Sequence, residues 1–115
     1  MTDCIFCQIA TGEIPAKIVT RSPEFVAFED LNPQAPVHLL MIPTTHLPAA
    51  RDAKDASSQA LLGRLLAFAC EVATAQGLDA KGYHLVTNTG ADGGQSVFHL
   101  HFHLLGGRKM AWPPG

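Results

Sequence analysis

The chain has 115 residues, enough for one small domain, residues 1–115, with one core. With 47% apolar and 16% charged residues it reads as globular, and a formal net charge of −2 argues against a broad electrostatic grip on nucleic acid. No apolar run approaches the ~18 residues that span a bilayer, and Met1-Thr2-Asp3-Cys4 lacks the basic and apolar segments of a leader. A cytoplasmic protein with reduced thiols, no nucleic acid and no membrane contact is the expectation.

In chain order, residues 3–10 predict a short helix with Asp3 as N-cap and Ile5, Phe6 and Ile9 on one stripe, stopped by T-G-E-I-P. Residues 17–21 and 24–29 alternate as strands about a Ser22-Pro23 turn. N-P-Q-A-P (32–36) is a rigid loop, and residues 38–42 form an apolar strand ended by Pro43. Between 56 and 76, Leu61, Leu62, Leu65, Leu66, Ala69, Val72 and Ala73 recur at helical spacing, with Gly77 placed to end the helix. Cys70 within it reads as a small buried hydrophobe. Residues 83–88 are a strand in which His84 is an ordinary member, 89–94 a glycine-rich loop, and 98–105 a strand of period two. The tail is irregular. The sum is α+β: about five antiparallel strands, one long helix on one face and one short N-terminal helix.

His99, His101 and His103 alternate with Leu100, Phe102 and Leu104. On a strand, residues i, i+2 and i+4 share a face, so three imidazoles line up at roughly 6.6 Å intervals while the apolar residues enter the core. Such a face suits a metal site or a nucleophile with acid–base helpers. The preceding loop points to phosphate: Gly90, Gly93 and Gly94 let backbone N–H groups approach an anion, and Ser96 adds a hydroxyl.

Residues 93–108, G-G-Q-S-V-F-H-L-H-F-H-L-L-G-G-R, resemble the signature of the histidine-triad (HIT) superfamily. E-D-L-N-P-Q-A-P-V-H (29–38) and the closing W-P-P-G resemble its Hint-like branch of purine nucleoside phosphoramidases. The resemblance implies a HIT-like fold, a homodimer and hydrolysis of AMP derivatives at their P–N bond, with no catalytic cofactor. It implies His101 as the nucleophile on phosphorus, with the His99 carbonyl orienting its ring. His103 would bind the phosphoryl group and assist proton transfer, and Ser96 would bond near the leaving nitrogen. Asn88, Gly94 and Gln95 match phosphate-contacting positions. Asp30 matches the ribose-binding carboxylate, with Leu31 beside it, and Ile5, Phe6, Ile9 and Phe28 match the apolar slot for the base. His38 falls near the triad, either as active-site support or in a structural hydrogen bond. Trp112 is open between tail packing and substrate or dimer contacts. The alternatives are a dinucleoside polyphosphate hydrolase and a zinc-stabilised nucleotide-binding module with a regulatory role.

Cys4-x-x-Cys7 alone is only suggestive of metal, the other reading being two buried thiols. Some bacterial HIT proteins, which this chain resembles, pair such cysteines with a histidine of the I-P-x-x-H segment, here His46, and with the first triad histidine, here His99. The resemblance therefore implies a structural zinc ion on Cys4, Cys7, His46 and His99, with His38 as the reserve ligand.

Overall fold

The computed structural model describes residues 3–115. Helix α1 spans Ile5–Thr11 and α2 spans Ala56–Ala75; the strands are β1 (Ile18–Arg21), β2 (Phe25–Glu29), β3 (Val37–Pro43), β4 (His84–Val86) and β5 (Phe102–Gly106). They form one antiparallel sheet in the order β1-β2-β3-β5-β4. A 3-10 turn at Ala50–Asp52, not expected from the sequence, leads into α2.

α1 is capped by Cys4 rather than Asp3: the Cys4 sulfur accepts from the Cys7 backbone N–H, and Gly12 closes the helix at φ +83°. The first turn thus holds both thiols on the helix end that faces the sheet. Asp55 caps α2, its carboxylate accepting from Ser58 N–H at 2.7 Å, and the helix ends before Gly77 at φ +75°, the end that the pattern predicted. Cys70 departs from expectation. It follows the buried Ala69 and so faces outward, exposed, with its thiol against Tyr83.

The expected single covered face is instead two. Phe25, Ala27, Leu39 and Met41 point to α2, where Leu61, Leu65, Ala69, Val72 and Ala73 meet them. Their neighbours Val26, Phe28, Leu40 and Ile42 point the other way, to Phe6, Ile9 and Ala10 of α1. Period-two alternation in β2 and β3 is therefore apolar on both sides, which is why these strands read as continuous hydrophobic runs. At the usual ~25 cal/mol per Å² of apolar surface, each fully buried side chain contributes about 2 kcal/mol, so α1 is a docked element and not a loose terminus.

The triad strand is shorter than its pattern. The ladder starts at Phe102, not Phe98, because backbone groups of residues 99–101 are taken elsewhere. Leu100 N–H donates to the Leu47 carbonyl at 2.6 Å, Thr87 Oγ1 donates to the His101 carbonyl, and the His99 carbonyl accepts from the His101 ring. The alternation survives without the ladder. Leu100 and Leu104 enter the α2 core, and the histidines take the α1 side.

Candidate active site

Each triad ring is turned by a different neighbour, and the neighbours fix which nitrogen carries the proton. His101 is 6% exposed; its Nδ1–H donates to the His99 carbonyl at 2.8 Å, which leaves the lone pair on Nε2. The edge of the Phe6 ring meets it, with the two ring centres 5.1 Å apart. Burial holds His101 below the ordinary imidazole value, against the opposing influence of the carbonyl bond and Asp30, so the ring is a neutral base.

His103 has the opposite arrangement. The backbone N–H of Gln34 donates to His38 Nδ1 at 3.0 Å, so the proton of neutral His38 lies on Nε2. That Nε2–H faces His103 Nδ1 at 2.9 Å, with Asp30 Oδ2 at 3.5 Å. His103 Nδ1 is then an acceptor and its Nε2 carries a proton. Burial first, then the proximity of His101 and His38, lowers the His103 value to about 4. The His101 and His103 ring centres sit 5.1 Å apart, one ring offering a lone pair and the other an N–H. A nucleophile and a proton donor on one face follow from ordinary hydrogen bonding.

Asp30, His38 and His103 bring three ligand-type atoms together, and on spacing alone they resemble a metal site. The Gln34 N–H argues otherwise, since it keeps the His38 proton on Nε2, the nitrogen that would have to bind the ion. The group is a hydrogen-bonded chain. His38 is thereby placed beside His103 and away from the cysteines, which removes it as a reserve zinc ligand.

A cavity of ≈ 240 Å³ is lined by Ile5, Phe6, Ile9, Phe28, Asp30 and Leu31, with Ile14, Lys17, Glu29 and Leu40 also on its wall, and its Phe6 is the residue that packs on His101. All six residues expected around a base and ribose thus share one cleft. Its size suits a flat ring rather than a whole nucleotide. Asp30 stands at its rim with Oδ1 on the Asn32 N–H at 2.8 Å, and Leu31 is 95% exposed beside it.

The glycine loop is a tight knot held by its own side chains. Asn88 Nδ2 donates to the Gly93 carbonyl at 2.6 Å. Gln95 accepts from Gly90 N–H and donates to the carbonyls of Pro48 and Val97. A Cβ at Gly93 would meet the Thr89 carbonyl oxygen at 2.4 Å, and Gly94 has φ +78°. The amides of Asn88 and Gln95 therefore shape the loop, while Ser96 is exposed at its exit.

His99, fully buried, donates Nε2–H to the Pro43 carbonyl at 2.8 Å and so presents the Nδ1 lone pair to three other groups. Cys4 Sγ lies 3.3 Å from it, Cys7 Sγ 3.4 Å and His46 Nδ1 3.2 Å, with Cys7 Sγ 3.4 Å from His46 Nδ1. A tetrahedron with Zn–N ~2.05 Å and Zn–S ~2.3 Å has N–N and N–S edges of roughly 3.3–3.6 Å. The donor set and the spacing fit zinc.

Of the remaining candidates, His84 is a half-buried member of β4, and Trp112, 86% exposed, does not pack on its own chain. Gln34, Pro43 and Pro48 escaped sequence reading because they act through backbone groups, which leave no residue-type signal, and Thr87 because its hydroxyl meets a backbone carbonyl far along the chain. Arg51, whose guanidinium lies against Gly90, escaped it because a lone cation in P-A-A-R-D carries no pattern.

Residues 11–110 match the HIT domain. The chain is 51% identical to an uncharacterised HIT-like protein of Synechococcus elongatus over 113 residues, covering 98% of this chain and 97% of that one. Its fold superposes on the crystal structure of a HIT family hydrolase from Legionella pneumophila Philadelphia 1 with a TM-score of 0.94 and 49% identity, covering 98% of this chain and all of the other (100%). A histidine triad nucleotide-binding protein from Candida albicans gives a TM-score of 0.81 at 29% identity, over 98% of this chain and 85% of that one. In sequence and in fold, the chain belongs to the HIT family.

Proposed function

We propose that the chain is a nucleotide hydrolase that cleaves the P–N bond of adenosine 5′-phosphoramidates, a purine nucleoside phosphoramidase working through a covalent nucleotidyl-histidine. The observation that carries this reading is the pair of opposite tautomers on one face: the His101 lone pair on Nε2 and the His103 proton on Nε2. Kinship with HIT family hydrolases supports the hydrolytic class.

In this reading the purine enters the Phe6–Phe28 slot and Asp30 accepts from the ribose hydroxyls. Asn88, Gly94, Gln95 and Ser96 shape and line the cradle for the α-phosphate. His101 Nε2 forms a bond to phosphorus as the P–N bond breaks. His103 Nε2–H protonates the departing nitrogen, which leaves as a neutral amine, and His38 can pass its own Nε2 proton to His103. Water then attacks the phosphorus, its proton returns to the histidine pair, and AMP and free His101 result.

Cys4, Cys7, His46 and His99 would hold zinc, an ion that in a four-ligand protein site fastens chain segments and offers no position to water. The His99 carbonyl would then reach His101 from a fixed base. A homodimer is part of the same reading. β1 and β4 leave the sheet with two edges, and α2 shows Leu66 and Cys70 to solvent.

The test is turnover of an AMP phosphoramidate of a simple amine beside a dinucleoside polyphosphate. Faster amine release supports the proposal. Cleavage of the polyphosphate alone would replace it with the polyphosphate hydrolase reading.

A further inference from the structure

The structure assigns to Arg51 a further role, resting on the phosphoramidase reading: we propose that it selects substrates whose leaving group carries a negative charge. Arg51 sits in the 3-10 turn Ala50–Asp52, and its Nη1 is 3.3 Å from where a Cβ on Gly90 would lie. The φ of +77° at Gly90 favours glycine, and without a Cβ the guanidinium lies directly against the loop backbone. Among the described residues Arg51 takes part in no ion pair, whereas Arg64 is bound by Glu24 through two bonds. The guanidinium is therefore placed without being neutralised.

Its placement is rigid at the base. Gln95 Nε2 donates to the Pro48 carbonyl at 2.8 Å and Gln95 Oε1 accepts from Gly90 N–H at 2.9 Å, so one amide ties the Arg51 segment to the glycine loop. Leu100 N–H to Leu47 O ties the same segment to the start of the triad. The base slot lies on the α1 side, His101 packs against Phe6, and the glycine loop precedes the triad. In the proposed reading, a substrate with its purine in the slot and its phosphorus at His101 would direct its leaving group toward the loop. A carboxylate or a further phosphate there would meet Arg51 with its planar fork of donors available. A neutral amine would gain nothing from it.

The experiment compares AMP phosphoramidates of phenylalanine and of phenethylamine, which differ by one carboxylate, with ADP-linked substrates as the phosphate arm. Arg51→Gln should lower kcat/KM for phenylalanine-AMP about tenfold and alter phenethylamine-AMP less than twofold. Arg51→Lys should restore part of the difference, and Arg51→Glu should reverse the preference. Equal losses on both amines, or no loss on either, would overturn the role. Should the wild type cleave neither, the phosphoramidase reading fails. Calorimetric Kd values for the two uncleaved conjugates then decide Arg51 by the same charge-dependent ratio.

Discussion

The carbonyl oxygen of His99 accepts from Nδ1 of His101 at 2.8 Å, while the His99 ring turns away, to the Pro43 carbonyl and to Cys4, Cys7 and His46. One residue thus joins two sites. Its backbone sets the tautomer of the candidate nucleophile, and its side chain belongs to the cysteine–histidine cluster. The cysteines also begin α1, whose Phe6 packs on the His101 ring. Whatever holds the cluster therefore holds the nucleophile from two directions.

The freshly purified protein should accordingly contain about one zinc per chain. Cys4→Ser should lower stability by ~2 kcal/mol or more, which is roughly 5–10 °C in Tm at this chain length. The reason is that Cys4, His46 and His99 lie in three segments distant in sequence, and a shared ion closes long loops between them. Elemental analysis finding no zinc, together with an unchanged Tm in the variant, would return both thiols to plain packing.

Substitution of the nucleophile separates binding from chemistry. His101→Asn should cut turnover by at least ~10³-fold while the Kd for AMP changes only a few-fold, since the slot and loop supply most of the contacts. Stopped assays paired with calorimetry measure both quantities. A parallel collapse of affinity would mean that the variant had disturbed the site rather than the reaction.

Acid should weaken the fold through His103. Its folded value of about 4 lies below the ordinary 6.5, so between these values the unfolded chain binds more protons than the folded one. The contribution is fully present above pH ~6.5 and is lost as pH falls toward about 4. The cause is chiefly burial of the ring, with His101 and His38 adjacent and Asp30 opposing. Urea unfolding at pH 7, 5.5 and 4.5 should therefore show a smaller decline for His103→Gln than for the wild type. Identical slopes would remove His103 as the source.

In solution the chain should be a homodimer. Light scattering at micromolar concentration is expected to give twice the chain mass, and Leu66→Lys on the exposed face of α2 should shift it toward monomer. A monomer mass for the wild type would contradict this.

Much of this arrangement was legible in the residues, and the gaps have a common cause. Alternation told correctly which side Leu100, Leu104 and the histidines take, because burial follows side-chain type. It overstated the strand, since residues 99–101 spend their backbone groups on Leu47, Thr87 and the His101 ring. Helix α2 was plain from its period and its Gly77 end, while its Asp55 cap emerges only in the structure. Asp3 looked the better cap for α1, yet Cys4 takes that place, with its sulfur drawn toward His99 by the cluster. Placing α1 on the opposite face from α2 required seeing that β2 and β3 are apolar on both sides. His38 was ambiguous in sequence because only the Gln34 N–H, a backbone group, reveals which of its nitrogens is protonated.

The proposed chemistry turns on the covalent intermediate, and trapping it is the most direct test. The protein is mixed with an AMP phosphoramidate, quenched within milliseconds to seconds in base, where a phosphorylated imidazole survives, and measured by intact mass and peptide mapping. One nucleotidyl group per chain is expected, on His101, absent from His101→Asn and decaying to AMP and free protein. Rapid turnover with no adduct at any time, or an adduct on His99 or His103 instead, would contradict the proposed mechanism.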